Sequence, residues 1–225
     1  MKEIPIIVQA RLSSNRLPNK VLRKLNEFTI IEWVYHRLSL VDFEHRIIVA
    51  TSSEVSDDEL ADFCQLKGFE VFRGSLKNVA LRFKTILDTL ECRFFFRICA
   101  DSPFIDPALL NYAYQKKTKD MDLITNVMKR TFPKGQSVEL INKDAFLQIY
   151  HLIESSYDKE HVTSKFYESK NSFNIFNFES DIDYSNIQLS IDTQEDFAEA
   201  KKLLSHIDNN RFTINELIEI GKQIS

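Results

Sequence analysis

From Ile4 to Lys117 the chain alternates short β-rich apolar runs with longer runs of helical period, and few folds accommodate that order. "IPIIVQA" precedes "TIIEWVYHRLSLV", where Ile30, Ile31, Val34, Leu38 and Val41 recur at helical spacing. "RIIVATS" precedes "SDDELADFCQLKG", a helix expected to open on a Ser56 cap with acids in its first turn and to stop at Gly68. "FEVFRG" precedes "SLKNVALRFKTILDTL", and "RFFFRICA" precedes "PALLNYAYQKK", with Pro107 in the first helical turn. This βαβα order predicts an α/β fold, a mostly parallel sheet sandwiched by helices. Ligands of such sheets bind beyond the carboxyl ends of the strands.

The second half is less regular. "MDLITNV", "VELI", "SFNIFNFES" and "NIQLSI" read as strands. "KDAFLQIYHLIES", "DKEHVTSKFYES", "TQEDFAEAKKLLSHI" and "TINELIEIGKQI" read as helices. With no repeat and no Pro/Gly-rich linker, residues 1–225 read as one domain with a small β-rich insertion.

With 44% hydrophobic residues the chain can build a large core, and a net charge of −4 argues against a nucleic-acid binder that works through bulk charge. No apolar run reaches the ~18–20 residues of a membrane span, and no signal-peptide pattern precedes the first strand. Cys64, Cys92 and Cys99 lie in apolar runs without paired spacing, as reduced core residues of a cytoplasmic protein do. Phe94, Phe95 and Phe96 read as a buried strand rather than a base-stacking platform, and Trp33 as a core residue. His151 has no partner at zinc-ligand spacing.

Three strand ends carry polar groups. "VQARLSSNRLPNKVL" sets Arg11, Ser13, Ser14, Arg16 and Lys20 after the first strand. Arginine forks and a lysine ammonium suit phosphate oxygens, and the alternative is a solvated basic loop. In "CADSPFIDP", Asp101 stands where a buried strand meets solvent, as a ligand for a hard cation or a cap of the following turn; Asp106 is placed to cap the helix at Pro107. In "LSIDTQEDF", Asp192 is either a metal ligand or an N-cap, with Glu195 completing a capping box. The metal reading gains from repetition: two strands end in aspartate and a third in a basic loop, and Mg2+ typically takes one or two carboxylates plus substrate phosphates.

Taken together, these segments resemble the sugar cytidylyltransferases. "VQARLSSNRLPNKVL" is similar to their Q-A-R-x-x-S-x-R-L-P-x-K signature, and "RICADSPFIDPALL" to their R-x-x-x-D-x-P-x-I-D-P turn. "FPKGQSVELI", "DKEHVTSKFYE" and "LSIDTQEDF" resemble segments of the branch of spore coat polysaccharide biosynthesis protein F, related to CMP-Kdo synthetase. The matches run in family order from Val8 to Phe197. The resemblance implies a nucleotidyltransferase fold of the glycosyltransferase-A type, joining CMP from CTP to a sugar or sugar-acid acceptor with release of pyrophosphate. It implies Arg11, Arg16 and Lys20 on the triphosphate, Gln9, Ala10 and Ser14 bordering the nucleotide, and Asp101 and Asp192 on Mg2+. Glu139, His161 and Thr163 match acceptor-side segments, although a strand glutamate can simply face solvent and His161 can pack on the surface. It also implies a homodimer, for which Phe173 to Phe178 is the candidate edge. Ser13, Asn19 and Ala100 stand where the family often has glycine, and Ser102 where it has cysteine.

Two other classes share these features. A glycosyltransferase of the same fold would carry D-x-D, a spacing that Asp181 and Asp183 have. A non-catalytic homologue would keep the fold and bind nucleotide only.

Overall fold

The computed structural model describes residues 3–207 and 210–224. The first half runs β1 (Ile4–Gln9), a hairpin of β2 (Lys24–Leu25) and β3 (Phe28–Thr29), α1 (Ile30–Leu38), β4 (His45–Ser52), α2 (Asp58–Leu66), β5 (Glu70–Gly74), α3 (Val79–Asp88), β6 (Phe94–Cys99) and α4 (Pro107–Lys116). The second half adds β7 (Leu123–Thr125), β8 (Glu139–Asn142), α5 (Lys143–Tyr150), α6 (Ser156–Glu160), α7 (Ser164–Glu168), β9 (Ile175–Asn177), α8 (Gln194–Leu204) and α9 (Ile214–Ile224).

The main sheet has the order β5-β4-β1-β6-β8-β7-β9. β1 pairs in parallel with β4 and β6, and β4 with β5. β8 is antiparallel to both β6 and β7, and β9 returns parallel to β7. The β-rich portion of the second half therefore extends the same sheet. Just after its outer strand, β9, Phe178 is buried against Phe132 and the part-exposed Tyr112.

Side chains of a strand alternate between faces, so each strand serves two cores. Ile6 and Val8 of β1 join Phe94, Phe96 and Ile98 of β6 under α1, α2 and α4. Ile7 and Phe95 point the other way, under α3 and α5, with Val162 and Phe166 sealing that side. A third cluster packs the hairpin and Trp33 against α8 and α9. The three phenylalanines of β6 are core residues, as their pattern predicts.

Several boundaries move for local reasons. Ser56 does not cap α2: Asp57 stands at the cap position, and its carboxylate is taken by the Leu12 N–H at 2.7 Å and by Ser52. "DKEHVTSKFYES" is not one helix. It breaks at His161, which sends Val162 into the core and Thr163 onto Glu139. "NIQLSI" forms no strand; it holds a single bridge, Gln188 to Lys134.

Consecutive strands β1, β4 and β5 step one way along the sheet, and β6 then returns to the other side of β1. That reversal opens a crevice at the carboxyl ends of β1 and β6, the usual ligand position in such sheets.

Candidate active site

A cavity of about 530 Å3 fills that crevice, and Gln9, Ala10, Arg11, Ser14, Arg16, Lys20, Asp101, His161 and Asp192 all line it. Backbone pairing explains the convergence. Ala100 N donates to Gln9 O at 3.0 Å, which keeps the ends of β1 and β6 level. Ile191 N donates to Asp101 O at 2.8 Å, which draws the irregular 189–192 segment alongside β6 and sets Asp192 beside Asp101.

Gly135 makes room for that segment. Its φ is +92°, and a Cβ there would lie 2.5 Å from the Ser190 nitrogen. Asp192 does not cap α8. Thr193 is the cap, and Asp196 rather than Glu195 completes the box. The Asp192 side chain is thereby left to the cavity.

Asn19, where the family often has glycine, has φ 55° and ψ 24°. Asparagine tolerates this left-handed region better than most residues, so the turn persists without glycine. Ser13 is not among the residues with positive φ. After the turn, Lys20 opens a short 3-10 segment anchored by buried Val21.

The charges of the cavity are paired. Lys20 Nζ lies 2.9 Å from Asp101 Oδ2 and 2.9 Å from Asp192 Oδ1. Burial works against its charge, but the two carboxylates outweigh that and hold its pKa above the ordinary lysine value. Arg16 reaches Asp192 Oδ1 at 3.1 Å from solvent, and Arg11 meets Glu160 at 2.5 Å. Ser102, in the family's cysteine position, donates to Asp101 Oδ1 at 3.3 Å.

The donor set fits a hard cation. The Lys20 ammonium already stands where a positive charge between the two aspartates belongs. Among the described residues no group of three or more His, Cys, Asp or Glu side chains is placed to hold a metal. Two carboxylates without a full protein cage suit an ion that completes its shell with water and substrate phosphates.

A second cavity of about 290 Å3 adjoins the first and shares Arg97, Cys99 and His161 with it. Glu139 and Thr163 line it, but Glu139 does not face solvent. Its Oε2 meets Arg97 at 2.5 Å, and its Oε1 accepts from Thr163 at 2.8 Å and Tyr167 at 2.5 Å. Burial opposes the Arg97 charge, yet Glu139 holds its pKa above the ordinary arginine value. Burial, reinforced by Glu139, raises that of Tyr167. His161 is exposed, with its ring 4.2 Å from that of Tyr157.

Sequence reasoning gave no role to Arg97, Glu160 and Tyr167, which line these cavities. Arg97 carried a readable signal: an arginine inside an otherwise apolar central strand needs a buried partner or a ligand. Asp181 and Asp183, of D-x-D spacing, are exposed and line neither cavity.

A cytidylyltransferase family profile matches residues 5–224. Spore coat polysaccharide biosynthesis protein SpsF of Bacillus subtilis is 31% identical over 90% of this chain and 87% of its own. The structure of a cytidylyltransferase from Leptospira borgpetersenii superposes with a TM-score of 0.94 at 27% identity, covering 100% of this chain and 95% of that one. CMP:2-keto-3-deoxy-manno-octonic acid synthetase, solved in complex with CTP, superposes with a TM-score of 0.69 at 16% identity, covering 91% of this chain and 99% of its own; at that identity the likeness shows the fold.

Proposed function

The chain belongs to the cytidylyltransferase family, and on that premise we propose that it joins CMP from CTP to a sugar or sugar-acid acceptor in glycan or surface polysaccharide synthesis. The unit spanning residues 1–225 would release pyrophosphate. The observation that carries this reading is the meeting of Arg11, Arg16 and Lys20 with Asp101 and Asp192 around one cavity at the sheet's reversal point.

Such transfers depend chiefly on positioning and charge stabilisation. Gln9, Ala10 and Ser14 border the nucleotide, while Arg11, Arg16 and Lys20 neutralise the triphosphate and the charge growing on the departing pyrophosphate. Asp101 and Asp192 would hold Mg2+, which supplies charge neutralisation at the α-phosphate. The acceptor enters from the second cavity, past His161 and Thr163, above the Arg97–Glu139 pair. Its attacking oxygen displaces pyrophosphate from the α-phosphorus. No side chain is assigned as general base. A cytoplasmic setting belongs to the same proposal, and the free Cys64, Cys92 and Cys99 suit its reducing conditions; among the described residues no helix is long and apolar enough to cross a membrane.

The test is pyrophosphate release across four nucleoside triphosphates with sugar acids and phosphorylated acceptors. CTP- and Mg2+-dependent release is expected. No turnover with any acceptor, with no CTP binding by calorimetry, defeats the reading. CTP binding without turnover would indicate a non-catalytic homologue. Asp101→Asn is expected to reduce turnover far more than nucleotide affinity, and unchanged activity removes Asp101 from the site.

A further inference from the structure

Lys20 stands on both aspartates at once, at 2.9 Å from each, with its side chain only 12% exposed. The turn that carries it is well tied: Leu22 N donates to Asn19 O and Arg23 N to Lys20 O, both at 3.0 Å, and Val21 is buried. The ammonium is therefore held on the pair rather than sampling it from solvent. Arg16 also touches Asp192, but its side chain is 66% exposed and contributes little.

Two consequences follow from the charges. A divalent ion approaching the pair without nucleotide meets a fixed positive charge within its own coordination space, and must displace it. With only two protein carboxylates on offer, that ion gains too little from the chain alone. A triphosphate changes both sides of the balance, since it offers Lys20 new anionic partners and offers the ion further oxygens.

We infer that Lys20 is an internal counter-ion that occupies the metal seat until a nucleoside triphosphate draws it away, so that divalent metal and nucleotide bind with positive coupling. The inference rests on the triphosphate reading of the cavity. Couplings between ligands are typically ~5–150-fold and reciprocal: the metal tightens the nucleotide by the same factor as the nucleotide tightens the metal. Lys20 thus has two tasks, neutralising the pair at rest and the triphosphate when it is bound.

The experiment is a titration of the full-length, nucleotide-free chain with Mn2+, with free ion read by electron paramagnetic resonance. Lys20→Met, similar in length and uncharged, is expected to bind Mn2+ at least ~5-fold more tightly than the unsubstituted protein. The gain is expected to vanish when Asp192→Asn is added. Equal or weaker Mn2+ binding by a folded Lys20→Met overturns the inference, as does a gain that survives loss of Asp192. If Lys20→Met fails to fold with two carboxylates left facing each other, Lys20→Gln, whose amide still donates to one of them, carries the same comparison.

The two readings fail separately. CTP-dependent pyrophosphate release with no Mn2+ gain defeats the counter-ion role alone. A Mn2+ gain in a chain that neither binds nor turns over CTP defeats the cytidylyltransferase activity instead.

Discussion

Replacing Glu139 by glutamine probes how the floor between the two cavities is held. The carboxylate is 4% exposed and the Arg97 side chain 15%. Glu139 meets three donors, namely Arg97, Thr163 and Tyr167. Glutamine carries no charge and keeps one acceptor oxygen for three donors, and its N–H groups fit only if the Thr163 and Tyr167 hydroxyls turn round to accept. Arg97 would keep only neutral acceptors, the new amide oxygen and the Gln9 amide oxygen at 3.2 Å, and lose its counter-charge, while its Nε already has no partner. Removing one partner of a buried ion pair costs about 3–5 kcal/mol. For a domain of this size that corresponds to a fall in Tm of roughly 6–20 °C. Urea and thermal unfolding followed by the fluorescence of Trp33, the single tryptophan, measure it from a separate core cluster. The double substitution Arg97→Met with Glu139→Leu is expected to recover most of the stability, because both charges leave together. A loss under ~1 kcal/mol for Glu139→Gln, the scale of a surface pair, would refute the claim that the pair is desolvated.

Glu160→Gln frees Arg11 from a half-exposed pair worth at most ~1 kcal/mol, so CTP is expected to bind up to ~5-fold more tightly by calorimetry; unchanged affinity would show that Glu160 does not compete with the nucleotide. Gly135→Ala sets a Cβ 2.5 Å from Ser190 N and 2.7 Å from the Leu189 carbonyl carbon at φ +92°, and is expected to cost more than ~2 kcal/mol and to lower turnover through displacement of Asp192; a neutral result in thermal unfolding would mean that the 187–192 segment adjusts freely. Burial pushes the Cys64 thiol up to about 12 from an ordinary 9.0. The folded state then holds a proton that the unfolded state releases, so this contribution is complete below pH 9 and is lost as pH rises toward 12, at up to about 1.4 kcal/mol per pH unit. Cys64→Ala removes that component, and parallel stability profiles for the two proteins between pH 8 and 11 would count against it.

The sequence alone determined the alternating first half, because each strand and helix is written in the spacing of near neighbours. It also showed the strand ends at Arg11 and Asp101, where an apolar run gives way to charge, and Asp106 as the cap of α4, whose carboxylate accepts from Ala108 N. It left Asp192 undecided between cap and ligand. Thr193 and Asp196 settle the cap by their own geometry, and the backbone bond from Ile191 N to Asp101 O brings Asp192 to the cavity. Lys20 and Asp192 are 172 positions apart and meet only because the irregular segment crosses Gly135 at close range. Arg97 and Glu139 pair because β8 runs antiparallel to β6, a register set by the sheet and not by either segment. Local periodicity fixes which face of a strand is apolar; which distant polar groups share a cavity depends on chain closure over long separations, and only the assembled sheet decides it.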